Sequence, residues 1–225
     1  EYEVCTNTTP SKCDTAGVTI TITSESSGSG VFNIPNDLKN YYSTATFTTD
    51  SNDLKSQLTS LTANKHTNIL FYSGRHSYLL QADQDASNSS NVVLMYTGES
   101  KDKSFRQTSG TSAGKFNTEH VYPQSLYAGG TGGDARDDVV KADLHHLRYC
   151  DAAINTKRLN HKFVEGNGNA GLTGLKWNKE DPISAFEIQR NTVISGAQGN
   201  RNPFIDNPYL ATLIWGGDAA ENKWE

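Results

Sequence analysis

No stretch of this 225-residue sequence approaches the roughly 18 consecutive apolar residues of a bilayer-spanning helix. With 35% hydrophobic residues and a mean hydropathy of −0.62, the chain reads as one that works in water. Internal repeats and sustained heptads are missing, so neither a solenoid nor a coiled coil is expected. Cysteine is scarce, with three residues and no CxxC pair, and no His-x3-His spacing marks a structural zinc site. Cys5 and Cys13 stand close together in a Thr/Ser-rich segment and are expected to close a small disulfide loop in an oxidising compartment; Cys150 has no partner left. The competing reading is three reduced thiols in a cytosolic protein. The chain starts at Glu1 without a charged-then-apolar leader, as expected of a mature secreted form or of an excised piece. Asn7 and Asn88 occupy N-x-S/T triplets, which also arise by chance.

Basic residues are in the minority, and a net charge of −5 argues at first against a polyanionic partner. The distribution changes that view. Residues 1–100 carry 5 Lys+Arg against 10 Asp+Glu, residues 101–201 carry 14 against 11, and residues 202–225 carry 1 against 4. A net +3 middle between flanks of −5 and −3 is a segment to which a polyanion is drawn, although interspersed charge of this kind also serves as an ordinary solvated surface.

What is present reads as a mixed α and β chain of one large domain, 49–225, behind a Ser/Thr-rich extension, 1–48. "VTITITS" at 18–24 alternates as a half-exposed strand, and Leu54, Leu58 and Leu61 recur at helical spacing over 53–66. "TNILFYSGRHSYLLQAD" is expected to be helical despite Gly74, "NVVLMYTG" at 91–98 to be a buried strand, and the glycine-rich 125–138 to be a loop. "ADLHHLRYC" at 142–150 reads as a strand, followed by a helix capped by Asp151 and running to about Asn160. "YLATLIW" near the end is a short amphipathic helix.

Within this order, "KFNTEHVYPQSLY" sets a carboxylate, Glu119, beside an imidazole, His120. Phosphodiester hydrolysis needs a base for the attacking water and a positive charge for the phosphate and the leaving oxygen. An imidazole with a reference pKa of roughly 6.5 meets the first need. A hard divalent ion that keeps most of its waters meets the second with only one or two protein oxygens, for which Glu119 and Asn155 are candidates. Neighbours on an ideal strand point to opposite faces, so a distorted strand end or the turn at Pro123 must bring Glu119 and His120 together. A lone Glu-His dipeptide is weak by itself.

Five blocks in order, "NTEHVYPQS", "DLHHL", "INTKRLNHKF", "LKWNKEDPISAFEIQRN" and "NRNPFIDNPYLATLIW", resemble the endonuclease I family of secreted or periplasmic nucleases over roughly Leu54 to Trp215. The resemblance implies an α+β fold with a ββα-metal (His-Me finger) core, surrounded by helices and preceded by the extension. It implies a non-specific, metal-dependent endonuclease acting on DNA, RNA or both and leaving 5′-phosphate ends, with Mg²⁺ as cofactor and Mn²⁺ or Ca²⁺ as substitutes. Glu119 then resembles the first metal ligand, Asn155 the second, and His120 the general base. Arg136 resembles the loop arginine that holds the phosphate, although the loop differs in length and spacing.

Arg158 and Asn160 fall in the helix block and are expected to contact the nucleic acid; for Arg158 a solvated helix face is the alternative. Asp143, His145 and His146 match the second-strand block and are read as orienting or packing residues, with at most one of the two histidines facing the site. Thr118 and Tyr122 stand where the family has Arg or Trp, and the first 48 residues match nothing in it. Two other readings are weighed: zinc held by His120, His145, His146 and Cys150, and a nuclease-like protein without catalysis that only binds nucleic acid or a surface partner. A Cys150 nucleophile is disfavoured by its apolar context.

Overall fold

Leu54, Leu58 and Leu61 form one buried stripe on the first helix, α1 (Ser51–Lys65), which Asp50 caps by accepting from the Asp53 N–H. That stripe packs on Tyr42, Phe47, Leu210 and Trp224 in a cluster that Phe32, Ile34 and Tyr41 complete. The packed body therefore includes residues 32–47, on the N-terminal side of the boundary expected near 48. The computed structural model of the chain describes residues 2–5, 13–16, 32–126, 135–161 and 181–225, the first two stretches and 135–138 by their backbone alone. Strands β1 (Tyr2–Cys5) and β2 (Cys13–Ala16) pair antiparallel with Cys5 opposite Cys13. The strand expected at 18–24 lies outside the described residues.

After α1 the chain does not continue as a helix through 67–83. Thr67 and Asn68 N–H groups donate instead to the Gln198 carbonyl, and the Asn68 side chain to that of Ala197. A single 3₁₀ turn, Tyr72–Gly74, then leads into α2 (His76–Ala82). Strands β3 (Gln84–Asp85), β4 (Asn88–Val93) and β5 (Ser100–Asp102) make a small antiparallel sheet. The strand expected at 91–98 is thus shifted towards the N-terminus and ends at Val93. Leu94 is buried, but in a turn in which Gly98 N–H donates to the Leu94 carbonyl.

The second core cluster joins Leu79 and Ala82 of α2 to Phe116, Leu144, Leu147, Tyr149 and Ile194. Its centre is the antiparallel pair β6 (Phe116–His120) and β7 (Leu147–Asp151), in register from Phe116↔Asp151 to His120↔Leu147. Between them α3 (Ala135–Ala142) replaces the end of the expected loop. Lys141 in its last turn favours that helix through its dipole. Helix α4 (Ala152–Arg158) follows β7 at once, capped as expected by Asp151, whose Oδ1 accepts from Ala153 and Ile154 N–H groups. Helices α5 (Ala185–Gln198), α6 (Pro203–Asp206) and α7 (Tyr209–Trp215) complete the described chain. Fully buried Asp83 ties three elements together, accepting from Tyr149 N–H at 2.7 Å and pairing with Arg190 and Arg148.

β7 is shorter than expected, because residues 143–146 form a turn. Asp143 Oδ1 accepts from the His145 N–H at 3.0 Å, and buried Gln198 takes the Leu144 N–H at 2.6 Å. Side-chain acceptors placed this way satisfy a turn rather than a ladder. His145 and His146 consequently do not alternate across a sheet.

Candidate active site

The end of β6 and the C-terminal half of α4 meet over one open cavity of about 420 Å³, whose lining includes Thr118, Glu119, His120, Asn155, Arg158 and Asn160. His120 is the last residue of β6, and the chain bends at Val121 and Tyr122 before buried Pro123 and the 3₁₀ turn Gln124–Leu126. At this strand end Glu119 and His120 line the same cavity. Asn155 and Arg158 are three residues apart, hence on one face of α4.

Glu119 is 1% exposed. Its Oε1 accepts from Arg158 Nη1 at 2.5 Å, and the Tyr96 hydroxyl is a further polar neighbour of the carboxylate. Burial raises its pKa, and Arg158 and Tyr96 offset part of that rise. Asn155 directs both amide protons into the protein, to Asn117 Oδ1 at 2.8 Å and the Thr118 carbonyl at 3.2 Å. Asn117 is itself held by donating to Gln107 Oε1 at 3.1 Å. With its donors committed, Asn155 has an oxygen that no described residue bonds, on a side chain lining the cavity. A carboxylate and an amide oxygen are the hard donors that Mg²⁺ uses in ones and twos, so the donor set fits such an ion.

His120 is half-buried, with its ring 5.4 Å from the Tyr72 ring and 5.7 Å from that of His146. Burial pushes its pKa down to about 4, helped by the charges of His146, Arg75 and Lys141; a hydrogen bond to the Lys141 carbonyl acts the other way. The Gln124 amide nitrogen lies 2.9 Å from Nε2 and 3.2 Å from Nδ1.

A family model described as Endonuclease I matches residues 50–174 and 170–209. The chain belongs to the endonuclease I family. Its relatives include an extracellular ribonuclease of Bacillus amyloliquefaciens, 31% identical over 206 residues that cover 65% of this chain and 68% of that protein. An extracellular ribonuclease of Bacillus subtilis (strain 168) is 30% identical over 210 residues, 67% of this chain and 70% of that protein.

Other expected site residues of this endonuclease I chain are placed less simply. Arg136 stands on the first turn of α3 and not in a loop; its side chain lies outside the described residues. Arg158, expected at the nucleic acid, donates in this structure to protein oxygens, adding the His120 and Val121 carbonyls, each at 3.0 Å, to Glu119. It clamps α4 onto the end of β6. Asn160, past the end of α4, lines the cavity and donates to Ser125 Oγ at 3.2 Å. His145 Nε2 lies 3.2 Å from the Asn200 carbonyl and His146 Nε2 2.5 Å from that of Val140. Buried Cys150 has its thiol pKa pushed up by burial and by nearby Glu119. Among the described residues no three His, Cys, Asp or Glu side chains group to hold a metal, which leaves the four-ligand zinc reading without a site.

Sequence reasoning missed Asn117, Tyr96, Gln107 and Gln124. Asn117 and Gln124 flank the Glu-His pair within a few residues. Tyr96 and Gln107 reach it only through the fold, and no local pattern marks them.

Proposed function

We propose that the chain is a secreted, divalent-metal-dependent endonuclease that hydrolyses phosphodiester bonds with little regard to sequence. The observation that carries the reading is that Glu119, His120 and Asn155, two from a strand end and one from the following helix, line one cavity. The β6–β7 hairpin and α4 supply the two strands and helix that a ββα-metal core requires. The extracellular ribonucleases among the relatives support secretion and an RNA substrate.

In this reading His120 takes the proton of the water that attacks phosphorus. Its depressed pKa keeps the ring neutral and ready at physiological pH. Glu119 and Asn155 Oδ1 hold the divalent ion, Mg²⁺ with Mn²⁺ or Ca²⁺ as substitutes. When bound, that ion neutralises the charge growing on the phosphate and on the leaving oxygen. Arg158 and Tyr96 orient the Glu119 carboxylate, while Asn117 orients Asn155. Arg136 remains a candidate for the phosphate. Selectivity among sequences is slight because phosphate contacts position a strand without reading its bases.

The test is incubation of supercoiled plasmid and of total RNA with the protein, with Mg²⁺ or with EDTA, beside His120→Ala. The expected result is metal-dependent cleavage of at least one substrate, reduced about 10²- to 10⁴-fold by the substitution. Cleavage by His120→Ala at the wild-type rate would remove the base assignment. Tight binding without nicking at any metal would replace the enzyme with a nuclease-like binder.

A further inference from the structure

Arg75 is a cation with no counterion among the described residues, near the candidate active site. It lies between the Tyr72–Gly74 turn and α2, half-buried, with Cζ 3.5 Å from the centre of the Tyr72 ring. The Tyr72 ring is also 5.4 Å from that of His120, so Arg75 lies at most about 9 Å from the His120 ring. Its Nε donates to Thr118 Oγ1 at 3.2 Å and its Nη1 to the Tyr72 carbonyl at 2.6 Å. Those two bonds and the ring contact fix the plane of the guanidinium and leave three of its five N–H groups without an acceptor among the described residues.

No carboxylate among the described residues pairs with Arg75. Burial lowers its pKa, and a second guanidinium, Arg106, lowers it further. The same two arginines, after burial, push His76 down to about 4. A fold ordinarily answers a desolvated guanidinium with an acid, and like-charge neighbours make its absence more costly. No described residue supplies that acid, and a bound phosphate is a group that can.

We infer that Arg75 grips a backbone phosphate of the bound nucleic acid, the one adjoining the scissile phosphate, and so lines the strand up across Tyr72 towards His120. Thr118 links the two places: its side chain lines the Glu119–His120 cavity and its hydroxyl accepts from Arg75. Arg75 itself is not among the residues that line the cavity and adjoins it through Thr118. Arg158 cannot take this part while its guanidinium donates to Glu119 and to two carbonyls. Arg106, with no acid partner among the described residues, is a second cation near Arg75.

This inference rests on the nuclease reading, and its test separates the two. kcat/KM of the wild type, Arg75→Gln and Arg75→Lys is measured between 50 and 200 mM NaCl on the substrate the wild type cleaves, with Tm recorded for each. Expected for Arg75→Gln is a roughly ten-fold fall in kcat/KM at low salt, carried mainly by KM. The slope of log kcat/KM against log salt should shrink by about 0.7 to 0.9, the loss of one phosphate contact. Arg75→Lys should restore the slope but not all of the rate, since an ammonium keeps the charge and loses the fork. An unchanged slope in Arg75→Gln would overturn the inference, as would a lower rate that follows a lower Tm with the slope intact. Should Arg75→Gln not fold, labelling of Arg75 in the native protein with phenylglyoxal decides. Protection by an oligonucleotide bound in EDTA supports the contact, and equal labelling with and without it refutes it. A wild type that cleaves nothing refutes the nuclease reading instead, and the same variants are then compared by oligonucleotide binding in EDTA.

Discussion

Asn117→Ala isolates the device that orients one of the two proposed metal ligands without touching the ligand. In the native site the Asn155 amide has two donors on two acceptors, Asn117 Oδ1 at 2.8 Å and the Thr118 carbonyl at 3.2 Å. Flipping the amide would set its oxygen against both, so a single orientation is strongly preferred. Removing Asn117 leaves only the longer bond to hold it. One neutral hydrogen bond is worth about 0.5–1.5 kcal/mol net, and loss of an outer partner of a metal ligand typically weakens metal affinity about 10- to 100-fold. Asn117 is half-buried and also meets Gln107 and Cys150, so about 1–2 kcal/mol of stability should go with it. The assay is cleavage rate against Mg²⁺ concentration. Asn117→Ala should move the midpoint up by about ten-fold or more, with most of the rate regained at saturation. Asn117→Asp, which keeps an acceptor, should lie nearer the wild type. A midpoint unmoved in Asn117→Ala would show that the amide of Asn155 needs no such support, or that it binds no ion.

The pH dependence of kcat/KM should report a base whose pKa sits near 4: flat on the acid side to about pH 5, then falling about tenfold per unit below 4 as the ring takes up a proton. An acid limb centred near pH 6.5 would contradict the burial argument. The same depression has a stability sign. Between about 6.5 and 4 the unfolded state binds protons at positions 120 and 76 that the folded state does not, so Tm should fall as pH is lowered through that window. Arg158→Met leaves nearly inaccessible Glu119 without its cation, an uncompensated charge costing about 3–5 kcal/mol. At this chain length that lowers Tm by roughly 6–20 °C, and Glu119→Gln in the same protein should restore part of it; an unchanged Tm would mean the pair is solvent-screened.

The parts of this molecule governed by local chemistry were legible in the sequence. The leucine stripe of α1, the Asp151 cap and the adjacency of Glu119 and His120 are set by residues within a few positions of one another. Of the strand predicted at 91–98 only Asn91–Val93 pairs, and the chain turns at buried Leu94. The rest of the strand is the exposed polar run Asn88–Ser90 before it, since a surface sheet needs few apolar side chains. The histidine pair at 145 and 146 looked like strand residues. Asp143 and Gln198 hold that segment as a turn, and Gln198 arrives from more than fifty residues away. In the site itself, the residues with a chemical signature could be named from the sequence, whereas Asn117, Tyr96 and Arg75 have roles that exist only once strand, turn and helix are assembled.

The most direct measurement is the anomalous scattering of Mn²⁺ in crystals of the wild-type protein, compared with the metal dependence of cleavage in solution. The account predicts one ion within about 2.0–2.6 Å of a Glu119 carboxylate oxygen and of Asn155 Oδ1, with the His120 ring facing the same cavity. Metal-dependent cleavage with the ion bound at other residues, and none at Glu119 and Asn155, would contradict it.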